Sequence, residues 1–553
     1  MMFITTVPPT AIDDRIAAES NAPEFAHCAR KLASCGMALR RLGDIVTSPI
    51  NNSIRDVAEA YRSVGGTIPL FRPVDMKGAW LDPDTALRIS REFESQHEKA
   101  RVVPGNIVIA AAGTVARAAQ VPVGVEYGAI NGSCARVVVP KEVGGYVLSY
   151  LSSRYGFLSL MRWAVGSVQK HLNLEDLPRV SIPWPDKAVV GYINDKVRQA
   201  ERLHAGSLEA MHLARQLIET LISKGVSEED LKSFIVRNGV LHGTAASLLA
   251  LPDTIGQSSA NRRGLVSRIS GTGLTERLDA GFYQKEFLEN EVIIHHCGLP
   301  LHPIGAISEK CNCGATPKEV IYRGTGQGLI RTTDVRPNVF LANQVLRTND
   351  IKVSSTSPVA AIANDILYTM SGTIGYAAVI PDGDEVFSFS NTIARARLPK
   401  DSDHDAHYIA GFFNSSFGYK QSLRLTSGGI QGHVMPNPFK GLLVPTPSPT
   451  IQKFIGDLFR KADRLGRYAG RLVTAAKELV TALIENHVSE ADLQVAQRCL
   501  EKGDQELDRA ILARLSANGI DVAGSSPLFP DADSLYAAIE DSKHNDASNG
   551  DDA

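Results

Sequence analysis

Residues 217–231, LIETLISKGVSEEDL, return 262 positions later as residues 479–493, LVTALIENHVSEADL. Further toward the N-terminus, GSVQKHL (166–172) matches GGIQGHV (428–434) at the same offset. CARVVVP (134–140) matches IARARLP (393–399), now at 259. GNIVIAAAGTVARAAQVP (105–122) matches NDILYTMSGTIGYAAVIP (364–381), and LFRPVDMK (70–77) matches LIRTTDVR (329–336), also at 259. Cys35-Gly36 stands opposite Cys297-Gly298 at 262, and Arg15-Ile16 opposite Arg277-Leu278. Compensating insertions account for the change of offset. Seven matches in one order define two copies of one unit, residues 15–231 and 277–493, each 217 long.

Each copy has two parts. The first, about 170 residues, carries short β-type runs such as Ile107-Val108-Ile109 and Asp365-Ile366-Leu367-Tyr368, broken by Gly, Pro and Asn. This predicts an α+β domain with a largely antiparallel sheet, closed by IPWP (182–185) and VPTP (444–447), whose prolines stop strand pairing. The second part is a long helix. Ile455, Leu458, Ala462, Leu465, Ala469, Leu472, Ala476, Leu479 and Leu483 alternate at spacings of three and four. The first copy has Ile193, Lys196, Ala200, Leu203, Ser207, Ala210, Ala214, Leu217 and Leu221 there, a seam interrupted by Lys196 and Ser207. Neither helix can bury its stripe alone, and a folded domain separates them in the chain. They are expected to pair antiparallel; the competing arrangement is two separate helical hairpins, each docked on its own domain. The fold class is therefore α+β, a tandem duplication of an α+β recognition domain plus a long helix, with the two helices forming an antiparallel coiled coil. The expected division is 1–185 for the first domain, 186–240 for the first helix region and 241–276 for a linker. It continues with 277–447 for the second domain, 448–515 for the second helix region, and an acidic tail over 516–553 expected to be disordered. The stretch after 493 is expected to continue as helix.

Length and composition fit this plan. The 553 residues allow three or four domains. Net charge is -2, but residues 494–553 hold 12 acidic and 5 basic side chains, so the body is mildly basic. Seven cysteines, an odd number thinly spread, argue for a reducing compartment rather than a disulfide scaffold. No run approaches the roughly 18 apolar residues of a membrane span, and MMFITTVPPTAIDD does not read as a secretory signal. A cytoplasmic location with no membrane partner is expected.

Catalytic signatures are missing from the sequence. There is no GxxxxGK[ST], HExxH or GxSxG. YRGTGQG (322–328) leads into a β-like run and reads as a turn. Asn437-Pro438-Phe439 lacks the second proline of the motif with which amino-methyltransferases hold a flipped base. His295, His296, Cys297, Cys311 and Cys313 have no counterpart set in the first copy, apart from Cys35 opposite Cys297. Their spacing fits no standard zinc site, so buried thiols are expected and no metal. Two similar domains carried on rigid helices suit gripping two sites on an extended partner such as DNA.

The order RLDAGFY (277–283), PIGAIS (303–308), LIRTTDV (329–335), DILYTMSGTIG (365–375), SGGIQGHV (427–434) with LLVPTP (442–447), then a long helix, resembles half of a type I restriction–modification specificity subunit. The first copy starts with RIAAESN (15–21) in place of RLDAGFY but keeps RLGDIV (41–46). The resemblance covers about residues 15–493. It implies two target recognition domains reading a bipartite site on double-stranded DNA, and a helix pair that binds two methyltransferase subunits, joined in some systems by restriction/translocase subunits. It implies no catalysis and no cofactor in this chain; S-adenosylmethionine, ATP and Mg2+ belong to the partners. The linker, the acidic tail and the polar first seam depart from the family pattern. The alternative function is a non-catalytic protein-interaction adaptor on the same scaffold.

Recurrence in both copies selects the DNA-binding candidates. These are Arg72 and Arg331, Arg136 and Arg395, Thr114 and Thr373, Gln169 and Gln431, with Lys170 and His433 beside the glutamines; Arg424 is added as a candidate base reader on other grounds. Glutamine can pair with adenine, lysine with phosphate, and a Gly-Thr turn can offer backbone N–H groups. Competing roles are equally definite. Arg72 and Arg331 can pair with Asp75 and Asp334, Arg136 and Arg395 can be solvated strand residues, and the Gly-Thr loops can be ordinary turns. Readers of different bases are expected at non-equivalent positions such as Arg154, Arg162, Lys420 or Arg424.

Overall fold

The computed structural model describes residues 18–51, 66–166, 169–224, 229, 280–315, 326–348, 352–427 and 432–548. The expected linker, 241–276, lies outside them. The chain divides into two compact units, Met1–Gly206 with Leu465–Ala547, and Ser207–Arg464 with Ser548–Ala553. Each unit thus holds one globular copy and half of each long helix, a division that chain order alone did not give.

In the N-terminal unit the strands β1 (Ile68–Phe71), β2 (Ile107–Ala110), β3 (Ala118–Gln120), β4 (Gly128–Ile130) and β5 (Cys134–Val137) belong to two small sheets. Their counterparts in the other unit are β6 (Gln327–Ile330), β7 (Ile366–Thr369), β8 (Ala377–Val379), β9 (Phe387–Phe389) and β10 (Ile393–Arg397). The duplication holds to the residue. The β2–β3 pair aligns Ile107 with Gln120 and Val108 with Ala119, and β7–β8 aligns Ile366 with Val379 and Leu367 with Ala378. The parallel pair β1–β4 aligns Leu70 with Ala129, and β6–β9 aligns Leu329 with Ser388. Most other pairs are antiparallel.

The apolar run of β2 serves two cores at once. Ile107 and Ile109 pack toward the helices, whereas Val108 and Ala110 pack between the sheets. β7 repeats this, with Ile366 and Tyr368 on one side and Leu367 on the other. Alternation of side chains across a strand buried on both faces produces such a continuous run. Each closing motif ends a two-stranded ribbon: Pro183 pairs with Leu39 and the strand stops at Trp184 before Pro185, while Pro445, paired with Leu301, is the last residue of its strand. The Pro183 and Pro445 carbonyls accept hydrogen bonds from the buried hydroxyls of Tyr146 and Tyr408.

The long helices are α1 (Lys187–Lys224) and α2 (Pro449–Ile484). In the N-terminal unit Ile193, Val197, Ala200 and Leu203 share a core with Leu465, Ala469, Leu472, Ala476 and Leu479. In the other unit Ala210, Ala214, Leu217 and Leu221 share one with Ile455, Leu458 and Ala462. The start of each helix meets the end of the other, so they pair antiparallel, as the seam requires. A Cβ at Gly206 would lie 3.3 Å from Leu465, and the Ser207 hydroxyl donates to the Ala462 carbonyl at 2.6 Å. Small residues allow this approach, and Ser207 interrupts the seam without leaving a polar group unpaired.

Lys196 has a different solution, which corrects the expectation of a disordered tail. α2 ends at Ile484, where Asn486 turns left-handed (φ 61°), and a Ser489–Asp492 capping box starts α3 (Glu490–Glu501). The long helix therefore breaks between Ile484 and Glu490, and the stretch after 493 is helical as expected, but in a separate helix that runs to Glu501. α4 (Glu506–Ala513), a hairpin (Leu515–Ser516 with Gly519–Ile520) and α5 (Ala532–Ser548) follow. Phe529, Leu535, Tyr536 and Ile539 are buried in the core of the N-terminal unit. Acidic composition had hidden apolar residues at helical spacing. The anchor is ionic: the fully buried Lys196 ammonium pairs with Asp508, whose carboxylate also accepts from the Tyr192 and Tyr536 hydroxyls. Burial first, then the Asp508 charge, pushes both tyrosines up and keeps them donors.

A second joint links the sheet to α1. Trp80 stacks on His204 with ring centroids 4.2 Å apart and planes 11° apart. Burial pushes His204 down to about 4.

Both joints can be tested by substitution. Asp508→Asn strands a buried cation and should cost about 3–5 kcal/mol in denaturant unfolding, whereas adding Lys196→Met should recover most of that loss. Equal destabilisation of the single and double variants would refute this account. Because the His204 value is depressed from about 6.5, the unfolded chain takes up that proton first. Stability should therefore fall as pH drops from roughly 6.5 to 4, and His204→Phe should flatten this window in thermal melts compared with the unaltered chain.

Candidate nucleic-acid interface

Three segments converge in the N-terminal unit: the turn from Arg72 to Lys77, the β2–β3 turn, and Gly166 with residues 169–171. The backbone joins the last two through an Ala112–His171 bridge and a Leu172 N–H bond to the Ala111 carbonyl at 2.8 Å. The Arg117 guanidinium donates to the Met76 carbonyl at 3.1 Å, which brings in the first. Two glycines make the loops possible. Gly113 has φ 77°, and Gly166 has φ 106° with a would-be Cβ only 2.4 Å from the Gln169 carbonyl oxygen. Thr114, Gln169, Lys170 and His171 are exposed there, with Lys77 and Arg117.

The other unit builds the same cluster. A Ser371–His433 bridge and a Val434 N–H bond to the Met370 carbonyl at 2.9 Å join the β7–β8 turn to the segment around His433. A Cβ at Gly372 would lie 3.9 Å from Thr332 Oγ1, beside Arg331. The frame is common but its side chains differ: Arg117 is replaced by Tyr376 and Lys170 by Gly432, while Lys77 becomes Arg336. Lys77 and Arg117 were missed in the sequence, although both stand within the repeated motifs. What singles them out is a difference between aligned copies, not the recurrence by which candidates were chosen.

The recurrent arginines serve the fold. Arg72 grips the buried Asp75 carboxylate at 3.0 and 3.1 Å, and Arg331 reaches Asp334 at 3.1 Å; each pair caps a short turn. Arg136 is half-buried and donates to the Arg101 carbonyl at 2.7 Å. Arg395 corrects the sequence expectation. It has no exposed surface, and its guanidinium is taken by the Ala360 carbonyl, the Asn312 side chain and the Pro358 carbonyl. A phosphate cannot reach it, nor is it a solvated strand residue. Arg424 is drawn inward as well. It pairs with Glu291, lies 4.1 Å over the Phe282 ring and donates to the Phe282 carbonyl at 3.2 Å. Arg162 makes the equivalent bond to the Ser20 carbonyl at 3.2 Å, so this position ties helices together in both copies.

Thr373 is half-buried with its hydroxyl unpartnered, and its carbonyl accepts from Thr369. His433 is exposed, Arg154 is exposed and Lys420 is half-buried. Gln431 lies outside the described residues. Among the described residues no group of three His, Cys, Asp or Glu side chains is placed to hold a metal. Cys313 lies 3.6 Å from the Met370 sulfur, and burial pushes Cys311 up to about 11, so it is a thiol at neutral pH. No described helix is long and apolar enough to cross a membrane.

No family model matches this chain, and neither does any curated protein. Among solved structures it is similar to a type I restriction–modification S subunit from M. genitalium, at 11% identity over 82% of this chain and 96% of that one, with a TM-score of 0.37. It is also similar to a chain from a study of complex assembly and conformational transition of the type I R-M system, at 12% identity over 82% and 97%, TM-score 0.25. A third is the HsdS subunit from Thermoanaerobacter tengcongensis, at 11% identity over 85% and 97%, TM-score 0.24.

Proposed function

We propose that this chain is the DNA-specificity subunit of a type I restriction–modification or related phage-defence complex. In this reading each globular copy is a target recognition domain that reads one half of a bipartite duplex site. The helix pair positions two methyltransferase subunits, with restriction/translocase subunits joining in a nuclease assembly. The chain itself catalyses nothing; S-adenosylmethionine, ATP and Mg2+ are bound by its partners, in the cytoplasm. One observation carries the reading. Two domains of matching strand register build a similar loop cluster but carry different side chains on it: Arg117 and Lys170 are exposed in one, where the other has the half-buried Tyr376 and Gly432. A common frame with variable contacts is what reading two different sequences demands, because base discrimination depends on the donors and acceptors presented to each edge. The order of sequence motifs supports the same assignment.

Lys77, Arg117 and Lys170 are the contacts this reading assigns to the first half-site. Replacing all three by glutamine should lower the salt slope of DNA binding by about 0.9 for each phosphate that is no longer neutralised. Sequencing of methylated adenines made by the assembled complex should show relaxed recognition of one half-site and intact recognition of the other. If the complex still methylates the same sites with the same salt dependence, these loops are not the reading surface. If the chain binds methyltransferase subunits but no DNA sequence selectively, it is a protein adaptor.

A further inference from the structure

One sheet edge in the N-terminal unit is left open. The strand Ala38–Arg41 forms a two-stranded ribbon with Ser181–Trp184, and all four of its residues are exposed. Its backbone has a definite orientation. The carbonyls of Pro183 and Ser181 turn away from it, toward the Tyr146 and Tyr150 hydroxyls. The residues opposite them, Leu39 and Arg41, therefore belong to the non-hydrogen-bonded pairs of the ladder. Leu42, one step on, donates to the Val180 carbonyl at 2.8 Å, which agrees with this alternation. The N–H and C=O groups of Leu39 and Arg41 thus point outward from the ribbon, and among the described residues no backbone group pairs with them.

The side chains give this edge a charge. Arg40 and Arg41 are exposed, and Arg40 lies 4.8 Å over the Trp184 ring. Among the described residues neither arginine has an ion pair. Leu39 between Ala38 and Arg40 is 45% exposed. The other copy supplies a contrast. Its equivalent strand, Leu301–Pro303, pairs with Leu443–Pro445 in the same register. There Pro303 stands where the first copy has Arg41, and His302 where it has Arg40. A proline has no N–H to offer, and proteins use it to blunt exposed edges. The edge of the second copy is closed in this way, whereas that of the first is open and basic.

We propose that the outer edge of Ala38–Arg41 is a docking site for an extended acidic segment of a protein partner, which adds a third strand to the ribbon. The outward N–H and C=O groups of Leu39 and Arg41 hold its main chain. Arg40 and Arg41 meet its carboxylates on the two faces, because successive side chains of a strand alternate. Charge decides the occupant. A second copy of this chain, pairing edge to edge, would set arginines against arginines, and like charges on paired strands are destabilising. Duplex DNA would satisfy the charge but has no row of alternating donors and acceptors to complete a ladder. The docking site does not depend on the DNA-reading function.

The test uses the full chain and a short fluorescein-labelled peptide of alternating glutamate and threonine, with binding read by anisotropy. The peptide should bind and should slow amide hydrogen exchange over residues 38–42. The same peptide N-methylated at every residue, and one with lysine in place of glutamate, should each bind about tenfold more weakly or worse. Arg41→Pro introduces the residue of the second copy where φ is already −76° and suits proline. It should therefore keep the thermal midpoint, yet weaken the acidic peptide further than Arg41→Gln does. R40E/R41E should transfer the preference to the lysine peptide. Equal binding of the N-methylated peptide would make the edge a charged patch without strand addition and overturns the proposal. Displacement of the acidic peptide by duplex DNA, with R40E/R41E losing both, assigns the edge to nucleic acid and also overturns it. So does failure of the unaltered chain to bind the acidic peptide.

Discussion

Everything in this molecule follows from two helices that cannot bury their own stripes. A single amphipathic helix of this length would leave a long apolar seam in water, and each buried leucine or isoleucine contributes about 1.5–3 kcal/mol only when it is covered. The partner is supplied by the duplicated copy. Because the copies are in tandem, the start of α1 meets the end of α2 and the end of α1 meets its start. The globular parts pack onto these half-pairs and not onto isolated helices. Compact units are therefore assembled from segments far apart in sequence.

This explains which parts of the fold were legible in the sequence. Repetition revealed the unit, and the heptad spacing revealed the seam and its pairing. The structure extends the repeat to strand register, which was not read from the sequence: the aligned residues Leu70 and Leu329 occupy the same place in both copies. The tail was misread for a physical reason. Mean composition measures solvation of a segment on its own, whereas Leu535, Tyr536 and Ile539 find their cover on another part of the chain. Lys196 was visible as an interruption, but nothing adjacent in sequence identifies Asp508 as its partner.

The candidate site was legible in part and for an instructive reason. Choosing residues that recur in both copies selects what both copies need, and both need the same scaffold. Arg72, Arg331 and Arg395 accordingly fasten turns and strands. The loops bearing Thr114, Gln169 and Lys170 were found because glycine marks backbone shapes directly. Lys77 and Arg117 needed the opposite comparison, position by position, for exposed residues that differ on a shared frame.

The anchoring of the C-terminal extension has a consequence for synthesis. Lys196 is 312 residues from Asp508 in the chain. A ribosome adding about 5–20 residues per second needs roughly 15–60 s to cover that distance. Throughout that interval the nascent N-terminal half holds a cation destined for a dry interior but without its counterion, and an apolar helix flank without its lid. The first half to leave the ribosome is therefore the last to close. The second half meets all of its own core residues earlier in translation, an inverted schedule that leaves the early half as the natural client of a holding chaperone.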